Sequence, residues 1–480
     1  MKKVKDLLKN LEVLYVRGEE TALGGISDDS REVKPGFAFV ACRGGNVDGH
    51  RFISEAIKAG ATAIFAEEKI DLPEDVALVV LPDTKKALPE LARAHFGAPE
   101  EKLTLIGVTG TNGKTSVTFF IHQLLGLLGQ PSGLIGTIFY DTGIRKEKAS
   151  HTTPGPIKLR RLLREMLDAG LSHVVMEVSS HALAQGRVAG LSFDVAAFTN
   201  LSRDHLDYHR DMEAYFQAKK KLFTTHLKAS GQAVVNVAST WGRRLAQELS
   251  APVIKIGEDL GGMVTQRSRA GYSFLLVYGQ KQQSLATTLY GDFQLENLLM
   301  ATGCGLALGF SFEEIVPLLP KLKAPPGRLE LIGEKNGALI FVDYAHTPEA
   351  LKGALMSLRP VAKRLLVLFG CGGDRDQGKR PLMGQIAEAH ADQVILTSDN
   401  PRSEDPQKII NDILKGMKSK PVLVEPDRRE AIWAALSLLR EGDILLIAGK
   451  GHEDYQEIAG KRYPFSDAQL VREFLTREAA

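Results

Sequence analysis

The stretch that decides the fold is LTLIGVTGTNGKTSVTFFIHQLLGLL, which runs from residue 103 to residue 128. Its apolar first segment, Leu103–Val108, predicts a short buried β-strand. A glycine-rich turn follows, and the residues from Thr115 to Leu128 predict a helix. In such an arrangement, backbone N–H groups can surround a phosphate at the positive end of the helix. The segment therefore predicts an α/β domain with a phosphate-binding loop.

The loop also supplies side chains that suit a nucleotide. Lys114 can reach the terminal phosphates, and the Thr115 hydroxyl can bind magnesium. The loop differs from the common pattern because Val108 stands where the first glycine is usual. An ordinary glycine turn is the alternative, but the order of strand, loop, Lys-Thr pair and helix favours a site for ATP or a relative. The predicted contacts are Gly110, Thr111, Asn112, Gly113, Lys114, Thr115 and Ser116.

Strand-like and helical segments alternate on both sides of this loop, which predicts mostly parallel sheets covered on both faces. The predicted strands are Phe37–Ala41, Ala61–Glu67, His173–Val178, Val195–Thr199, Leu339–Val342, Leu365–Phe369, Val394–Thr397 and Ile444–Ala448. The predicted helices include Phe52–Ala59, Leu159–Ala169 and one that begins at Pro348. The fold class is therefore α/β.

Three domains are predicted, since 480 residues are too many for one ordinary core. Gly97 and Pro99 lie in a turn-rich stretch at the first boundary, and Pro325, Pro326 and Gly327 form a break at the second. The predicted domains are residues 1–98, 99–326 and 327–480.

The composition argues against several classes of protein. The formal net charge is only +2, whereas a nucleic-acid-binding protein normally carries a basic excess. No apolar run reaches the length of a membrane span. The three cysteines lack the spacing of metal ligands and predict buried thiols in a reducing compartment. We expect a cytoplasmic monomer with neither nucleic-acid nor membrane partners.

Two polar segments follow predicted strands in the central domain. MEVSSH spans residues 176–181, and NLSRDHLD spans residues 200–207. Glu177 and His205 are the candidate magnesium ligands there, because both flank the phosphate loop. Alone, either residue would more often be structural. The lysines at 219–221 on their own indicate an ordinary solvated run of charge.

Taken together, these motifs resemble those of the Mur ligases, which build the peptide stem of the cell-wall precursor. The resemblance extends from about residue 27 to the C-terminus. The motifs that carry it are GTNGKTS (110–116), HTTP (151–154), EVSSHAL (177–183), NLSRDHLDYH (200–209), YFQAKKKLF (215–223), PPGRLE (325–330), VDYAHTP (342–348), GCGGDRDQGKRP (370–381), DNPRSEDP (399–406) and GKGHE (449–453).

The resemblance implies an ATP-dependent ligase that activates a carboxylate as an acyl phosphate and joins it to an amine. The last motifs are most similar to those of ligases that add meso-diaminopimelate to UDP-N-acetylmuramoyl-L-alanyl-D-glutamate (UDP-MurNAc-L-Ala-D-Glu). The three domains would then be an N-terminal α/β domain for the UDP-sugar, a central phosphate-loop domain for ATP, and a C-terminal Rossmann-like domain for the amino acid.

The resemblance further implies that carbon dioxide converts Lys219 into a carbamate. An ammonium would repel magnesium, whereas a carbamate is an anionic oxygen ligand. The implied catalytic residues are Lys114, Glu177, His205 and Lys219. The implied Mg²⁺ ligands are Thr115, Glu177, His205 and the carbamate of Lys219.

Other residues match the family's substrate contacts. The additional nucleotide contacts are Asn297, Arg328 and Asp343. The contacts to the UDP-MurNAc-dipeptide are Ser30, Asn46, Thr152, Thr153, Ser179, Gln185 and Arg187, of which the first two lie where the chain departs most from the family pattern. The contacts to diaminopimelate are Arg375, Asp399, Asn400, Pro401, Arg402, Gly449 and Glu453.

Three alternatives compete with this interpretation. A lysine-adding sister ligase is disfavoured by Arg402, because lysine has no distal carboxylate for the guanidinium to bind. A folylpolyglutamate synthase is disfavoured by the N-terminal block with its Asp29-Ser30-Arg31 segment. A phosphate-loop NTPase that acts as a switch is the alternative from another class, and it would hydrolyse ATP without an amino acid.

Overall fold

A computed structural model describes residues 1–44, 47–206 and 208–479. The chain divides into two compact units, of which the first comprises Met1–Asp259 and Met300–Ile315, and the second comprises Leu260–Leu299 and Val316–Ala480. None of the helices in the described residues has both the length and the apolar character needed to span a membrane.

The N-terminal part of the first unit contains a five-stranded sheet in the order β2-β7-β6-β5-β4. Its strands are parallel except for β2, which pairs antiparallel with β7. The strands in this part are β1 (Lys2–Lys3), β2 (Tyr15–Arg17), β3 (Ala22–Leu23), β4 (Gly25–Ser27), β5 (Phe37–Val40), β6 (Ala63–Ala66) and β7 (Ala77–Val80). The α-helices are α1 (Val4–Leu7), α2 (Ile53–Lys58) and α3 (Thr84–Phe96).

Alternation along these strands places their side chains in two cores. Ala63 and Phe65 belong to the core that includes α3, whereas Ile64 and Ala66 belong to the core that includes α2. Both faces of the sheet are therefore covered, as the apolar runs predict.

The second sheet of the first unit is mostly parallel and surrounds β8, the strand before the phosphate loop. Its order is β11-β10-β9-β12-β8-β13-β14-β15, in which β10 and β11 are the antiparallel strands. The strands are β8 (Thr104–Thr109), β9 (Ser132–Ile135), β10 (Phe139–Asp141), β11 (Lys146–Lys148), β12 (His173–Glu177), β13 (Phe193–Phe198), β14 (Leu227–Asn236) and β15 (Val253–Ile256).

Helices connect these strands and carry the polar loops that follow them. One face of the sheet packs against α5 and α7, whose apolar residues share a core with the strands. The helices are α4 (Lys114–Leu127), α5 (Pro156–Asp168), α6 (Ser180–Ala184), α7 (Met212–Thr224) and α8 (Thr240–Glu248). The carboxylate of Asp211 caps α7 by accepting from the Ala214 N–H at 2.8 Å.

The second unit begins with an antiparallel meander of β16 (Leu260–Ser268), β17 (Gly271–Tyr278) and β18 (Lys281–Thr287). Along the chain, helix α9 (Asp292–Ala307) begins in the second unit and ends in the first, to which α10 (Phe312–Ile315) also belongs. Short 3₁₀ helices are formed by Ser30–Glu32, Gly49–Phe52, Pro99–Lys102, Val316–Lys321 and Arg359–Val361.

The main sheet of the second unit has the order β19-β20-β24-β21-β22-β23 and is parallel except for β19. A hairpin of β25 and β26 follows it. The strands are β19 (Glu330–Lys335), β20 (Ala338–Asp343), β21 (Arg364–Phe369), β22 (Gln393–Leu396), β23 (Leu423–Val424), β24 (Asp443–Ala448), β25 (Tyr455–Ile458) and β26 (Lys461–Pro464). The helices are α11 (Pro348–Leu358), α12 (Lys379–His390), α13 (Pro406–Leu414), α14 (Arg428–Ser437) and α15 (Asp467–Ala479).

Helices cover both faces of this sheet. Leu339 and Phe341 belong to the core with α11, α12 and α13, while Ile340 and Val342 belong to the core with α14 and α15. A fully buried ion pair joins the last two helices, since Arg428 Nη2 lies 2.7 Å from Asp467 Oδ2.

The α/β fold class is confirmed, and every strand predicted from the sequence is present with its ends shifted by at most two residues. The helix predicted over 52–59 begins as a 3₁₀ turn and becomes α-helical at Ile53. The sequence analysis did not identify the meander or the hairpins. Of the three cysteines, Cys304 and Cys371 are buried as predicted, whereas Cys42 is only partly buried. The division at residues 98 and 326 stays a prediction.

Candidate active site

The phosphate loop leaves β8 and enters α4 through two glycines in unusual conformations. Gly110 has a φ of 151° and Gly113 has a φ of 84°. A Cβ atom on Gly110 would lie 1.9 Å from the Thr199 hydroxyl oxygen, so only glycine fits there. The Thr111 N–H donates to the Asn200 carbonyl at 2.9 Å, which ties the loop to the end of the neighbouring strand β13.

Two lysines converge on one backbone oxygen of this loop. Lys219 Nζ donates to the Gly110 carbonyl at 2.7 Å, and Lys114 Nζ donates to the same carbonyl at 3.0 Å. Lys114 also donates to the Thr111 carbonyl at 2.9 Å. Both side-chain nitrogens therefore lie beside the loop that the sequence predicts to bind phosphate, and the ammonium of Lys114 carries charge that suits a polyphosphate.

Lys219 is almost completely buried on the inner face of α7. Burial, aided by the nearby charge of Lys114, holds the pKa of Lys219 well below its ordinary value, while Asp204 raises it in part. The interpretation of residues 219–221 as a solvated run of charge is therefore wrong for the first of them, because α7 turns that side chain inward.

Tyr215 connects Lys219 with the loop, and the sequence analysis missed it. Lys219 Nζ lies 4.5 Å from the centre of the Tyr215 ring, and the Tyr215 hydroxyl lies 3.2 Å from Thr111 Oγ1. The His209 ring stacks on the Tyr215 ring, with 5.0 Å between the ring centres. The one-turn spacing from 215 to 219 was a signal that both residues share a helix face.

The second predicted ligand, Glu177, ends β12 and is buried among hydroxyl groups. Thr115 Oγ1 donates to Glu177 Oε1 at 3.0 Å, and the Thr137 N–H donates to that same atom at 2.8 Å. Thr137 Oγ1 donates to Glu177 Oε2 at 3.1 Å. Thr137 had no motif in the sequence to mark it. These oxygen donors are of the hard type that Mg²⁺ prefers.

His205 lies apart from this group of oxygens. Its backbone has a φ of 51°, and its ring Nε2 is 3.4 Å from Asp204 Oδ2. The His181 ring is 4.9 Å away, centre to centre. Among the described residues, no hydrogen bond joins His205 to Glu177, and no group of three or more His, Cys, Asp or Glu side chains converges as metal ligands.

The predicted contacts to the dipeptide gather around Thr153, next to Glu177 on β12. Thr153 Oγ1 donates to the Glu177 carbonyl at 2.8 Å and accepts from the Ser179 N–H at 3.1 Å. Arg187 Nη1 donates to the Thr153 carbonyl at 2.9 Å, and its Nε donates to Gln185 Oε1 at 3.0 Å.

Thr152 lies beside this cluster, and its hydroxyl is 3.0 Å from Thr137 Oγ1. Ser30 lies in the N-terminal part of the first unit, in a 3₁₀ turn capped by Asp29, with its hydroxyl 3.4 Å from Glu55 Oε2. The predicted contact Asn46 lies outside the described residues.

In the second unit, the predicted nucleotide contacts also assemble. Asn297 Nδ2 donates to Gln294 Oε1 at 3.0 Å, and Gln294 Nε2 donates to the Arg328 carbonyl at 3.3 Å. The Arg328 guanidinium lies over the Tyr344 ring at 4.7 Å. Gln294 and Tyr344 were not predicted, although Tyr344 lies inside the VDYAHTP motif.

Asp343 ends β20 with both carboxylate oxygens bound by backbone amides. The N–H groups of Leu329 and Ala345 donate to it at 2.6 and 2.8 Å. Burial raises the pKa of this carboxyl, which Arg328 and the two amides lower in part. Asp343 therefore holds the adjacent loops together, in addition to its predicted contact with the nucleotide.

The predicted amino-acid contacts form a second buried cluster in this unit. Asn400 Nδ2 donates to Glu453 Oε2 at 2.8 Å. Gly449 has a φ of 113°, and a Cβ there would lie 2.6 Å from Asp399 Oδ2. Burial raises the pKa of the Asp399 carboxyl, while Arg428 lowers it in part.

Arg402 borders this cluster on a loop that packs against the glycine-rich loop after β21. Its φ is 53°, and its Nη1 donates to the Gly373 carbonyl at 2.6 Å. A Cβ on Gly373 would lie 2.0 Å from the Pro401 carbonyl oxygen, which explains the small residue. Arg375 is exposed on the same glycine-rich loop.

Comparison with models of protein families gives a match to three segments of the chain. The Mur ligase family catalytic domain matches residues 23–96, the Mur ligase middle domain matches residues 108–305, and the Mur ligase glutamate ligase domain matches residues 327–451. The chain belongs to the Mur ligase family. This membership confirms the predicted family and the predicted enzyme class, an ATP-dependent ligase.

Individual relatives agree with the Mur ligase assignment. A protein of Aquifex aeolicus named UDP-N-acetylmuramoyl-L-alanyl-D-glutamate--2,6-diaminopimelate ligase is 44% identical over 94% of this chain and 93% of its own length. A Pseudomonas aeruginosa protein of the same name is 46% identical over 93% of this chain and 94% of its own.

Solved structures give the same result for the Mur ligase fold. A structure with that same ligase name has a TM-score of 0.70 and 34% identity, covering 100% of this chain and 99% of its own. The MurF ligase of Thermotoga maritima in complex with ADP shares the fold, with a TM-score of 0.64 and 20% identity over 95% of this chain and 98% of its own.

We predict that Gly110→Ala in this Mur ligase lowers the rate of phosphate release by about a hundredfold or more, because the added Cβ would displace the loop. Gly126→Ala is the matched control. Gly126 lies in α4, and apart from its chain neighbours and the backbone of its own helix no heavy atom lies within 4 Å of the position that an added methyl group would take. Its substitution should preserve activity and stabilise the helix by about 0.5–1 kcal/mol.

Steady-state phosphate release and thermal unfolding of both variants provide the measurement. A folded Gly110→Ala variant with the wild-type rate would show that the loop does not depend on the contact with Thr199.

Proposed function

We propose that this protein ligates meso-diaminopimelate to the D-glutamyl carboxylate of UDP-MurNAc-L-Ala-D-Glu and converts ATP to ADP and phosphate in the process. The observation that carries the substrate assignment is the 44% and 46% identity, over nearly the full chain, to relatives named for that reaction. Two features of the structure support the proposal: a phosphate loop with two lysines, and a separate buried cluster that suits an amino acid. We also propose that the domains have the boundaries and roles that the sequence analysis predicts, and that the protein is a monomer.

A carboxylate resists attack by an amine because oxide would be the leaving group. Transfer of the terminal phosphate of ATP to the carboxylate gives an acyl phosphate, from which phosphate can leave when the amine attacks the carbonyl carbon. Both partners in the first step are anions. The ammonium of Lys114 can neutralise charge as the phosphoryl group transfers, since it already lies against the Gly110 carbonyl of the loop.

Mg²⁺ fits the oxygen donors at the end of β12. The Thr115 hydroxyl and the Glu177 carboxylate lie 3.0 Å apart, and both are buried. When bound, the ion would neutralise phosphate charge during transfer. Thr115 and Glu177 would hold it, and we propose that His205 and the Lys219 carbamate complete its surroundings.

Arg187 is the fixed cation among the proposed contacts to the dipeptide. Its guanidinium is anchored at two points, on the Thr153 carbonyl and on Gln185. Burial lowers the pKa of Arg187 from its ordinary value, but an arginine remains charged near neutral pH. It is therefore a suitable partner for a substrate carboxylate.

The burial of Lys219 favours the formation of a carbamate on its side chain. Its neutral amine would attack the carbon of carbon dioxide, forming an N–C bond and releasing a proton. Burial favours the neutral amine, because it lowers the pKa of Lys219. Once formed, the anionic carbamate would be attracted to Lys114, whose ammonium binds the same carbonyl as Lys219 does.

We predict that Lys219→Ala lowers the rate of ligation by about a hundredfold or more, because the anionic ligand is lost. A short carboxylic acid such as formate, added to the buffer, should restore part of the activity by taking its place. Lys221→Ala is the control, because that neighbouring lysine is exposed and should be dispensable.

A ¹³C NMR spectrum with labelled bicarbonate should show a carbamate carbon in the wild type and none in Lys219→Ala. Equal spectra for the two proteins would contradict the carbamate at this residue.

The proposed reaction is tested by measuring phosphate release and the peptide product with all substrates, and then with each one omitted. We expect release to fall to about a hundredth or less without diaminopimelate or without the nucleotide-sugar peptide. Release that continues without the amino acid would indicate the NTPase switch. Product formed from lysine instead would indicate the sister ligase, and product from folate and glutamate the folylpolyglutamate synthase.

Arg402 is the proposed selector of diaminopimelate over lysine. Diaminopimelate carries a distal carboxylate that a guanidinium can bind through two hydrogen bonds, while Asp399 or Glu453 can accept from the distal ammonium. Charge-assisted hydrogen bonds contribute about 1.5–3 kcal/mol, so this contact supports a preference of about a hundredfold or more.

We therefore predict that Arg402→Ala lowers kcat/KM for diaminopimelate by about a hundredfold and lowers the ratio of kcat/KM for diaminopimelate to kcat/KM for lysine. The KM for ATP should be unchanged. Arg472→Ala is the control, since that arginine is exposed on α15 and its ion pair with Glu330 is worth less than about 1 kcal/mol. The constants for both amino acids are measured in all three proteins. If the ratio of kcat/KM for the two amino acids is the same in Arg402→Ala as in the wild type, Arg402 does not determine which amino acid is selected.

A further inference from the structure

Lys450 is a completely buried lysine inside the proposed amino-acid cluster. It follows β24, between Gly449 and Gly451, and none of its side chain is exposed. Its Nζ lies 3.1 Å from Asn400 Oδ1, 3.0 Å from Glu453 Oε2 and 3.9 Å from Asp399 Oδ1. Lys450 is not among the amino-acid contacts that the sequence motifs predict.

A buried ammonium is costly unless it is paired and hydrogen-bonded. Lysine is also among the residues that are almost never fully buried in proteins. The three oxygen atoms around Lys450 Nζ all belong to residues predicted to bind the amino acid. The cost of burying this charge is thus offset by the cluster itself, and the cluster's geometry depends on the charge.

The hydrogen bonds give Lys450 a specific effect on Asn400 and Glu453. Asn400 Oδ1 accepts from Lys450 and, at 2.9 Å, from the Glu457 N–H. This orients the amide so that Nδ2 donates to Glu453 Oε2 at 2.8 Å. Lys450 donates to that same oxygen, so Oε2 receives two donors from the protein.

The other oxygen of Glu453 is left for a ligand. Within the described part of the chain, Glu453 Oε1 accepts no hydrogen bond, and 18% of the Glu453 side chain is exposed. Asp399 and Glu453 bring two carboxylates to the cluster, and Lys450 brings one ammonium. A carboxylate oxygen that accepts no hydrogen bond from the protein suits a ligand ammonium.

We propose that Lys450 is a positioning residue that determines affinity for the incoming amino acid: it orients the Asn400 amide and the Glu453 carboxylate so that Glu453 Oε1 can accept a substrate ammonium. This inference rests on the proposed ligase function. Lys450 itself does not touch the substrate, because its side chain is enclosed by the residues that do.

The test compares Lys450→Met, Lys450→Arg and the control Lys461→Met, which changes an exposed lysine of β26. Methionine keeps the length of the side chain and removes its charge, whereas arginine keeps the charge and rearranges the donors. Thermal unfolding is measured first, and KM for each of the three substrates is then measured together with kcat.

For Lys450→Met we expect the KM of the amino acid to rise about tenfold or more, because the two hydrogen bonds that the Lys450 ammonium donates to Asn400 and Glu453 are lost. The KM values for ATP and for the nucleotide-sugar peptide should stay within about twofold, and kcat at saturating amino acid should be largely retained. Lys450→Arg should raise the same KM by a smaller factor, and it decides the question if Lys450→Met does not fold.

An amino-acid KM within about twofold of the wild type in folded Lys450→Met, or in Lys450→Arg if Lys450→Met does not fold, would overturn the inference. So would a parallel loss of kcat and all three affinities, which a merely structural lysine would cause. These KM measurements use whichever amino acid the wild type ligates. If that amino acid is lysine, the diaminopimelate assignment is refuted, but the role of Lys450 can still be tested. A wild type that ligates no amino acid would overturn both.

Discussion

The ammonium groups of Lys114 and Lys219 donate to the same backbone oxygen, the Gly110 carbonyl. Burial, aided by repulsion from the nearby Lys114 ammonium, lowers the pKa of Lys219. The contact requires the backbone of Gly110 to pass against Thr199 with no side chain between them. The conformation of one glycine thus brings together the group that suits phosphate and the group that suits carbamate formation.

Parallel sheets explain why these groups meet at all. The carboxyl ends of neighbouring parallel strands lie at one edge, where open α/β sheets place their ligands. Glu177 ends β12 and the phosphate loop follows β8, and these two strands are hydrogen-bonded neighbours. Thr199 and Asn200 follow β13 on the other side of β8. Residues far apart in the chain therefore become one site.

In the second unit the proposed amino-acid cluster also lies at the carboxyl ends of the parallel strands, but two of its charged side chains are buried. Asp399 follows β22, and Lys450 follows β24. Their charges are buried, and charges in a protein interior must be paired. Behind them, Arg428 donates to the Ser398 and Ala448 carbonyls and pairs with Asp467, so the loops that carry the cluster are anchored by a neutral pair. These anchored loops hold the side chains of the cluster in place.

The sequence by itself determined the strand, loop and helix around Lys114, because glycines, apolar runs and helical spacing are local properties. It also determined the Mur ligase family, through long motifs in a fixed order. The antiparallel meander escaped because two of its strands, β16 and β18, are mostly exposed and carry few apolar residues, so they lack the pattern of a buried strand.

Only the tertiary structure decided which charged residues are buried. Lys219 and Lys221 belong to one basic run, yet α7 turns the first inward and leaves the second exposed. Thr137 reaches Glu177 across 40 residues of chain, and Lys450 reaches Asn400 across 50. Such contacts depend on the register of strands that pair over long distances, and no local spacing in the sequence encodes them.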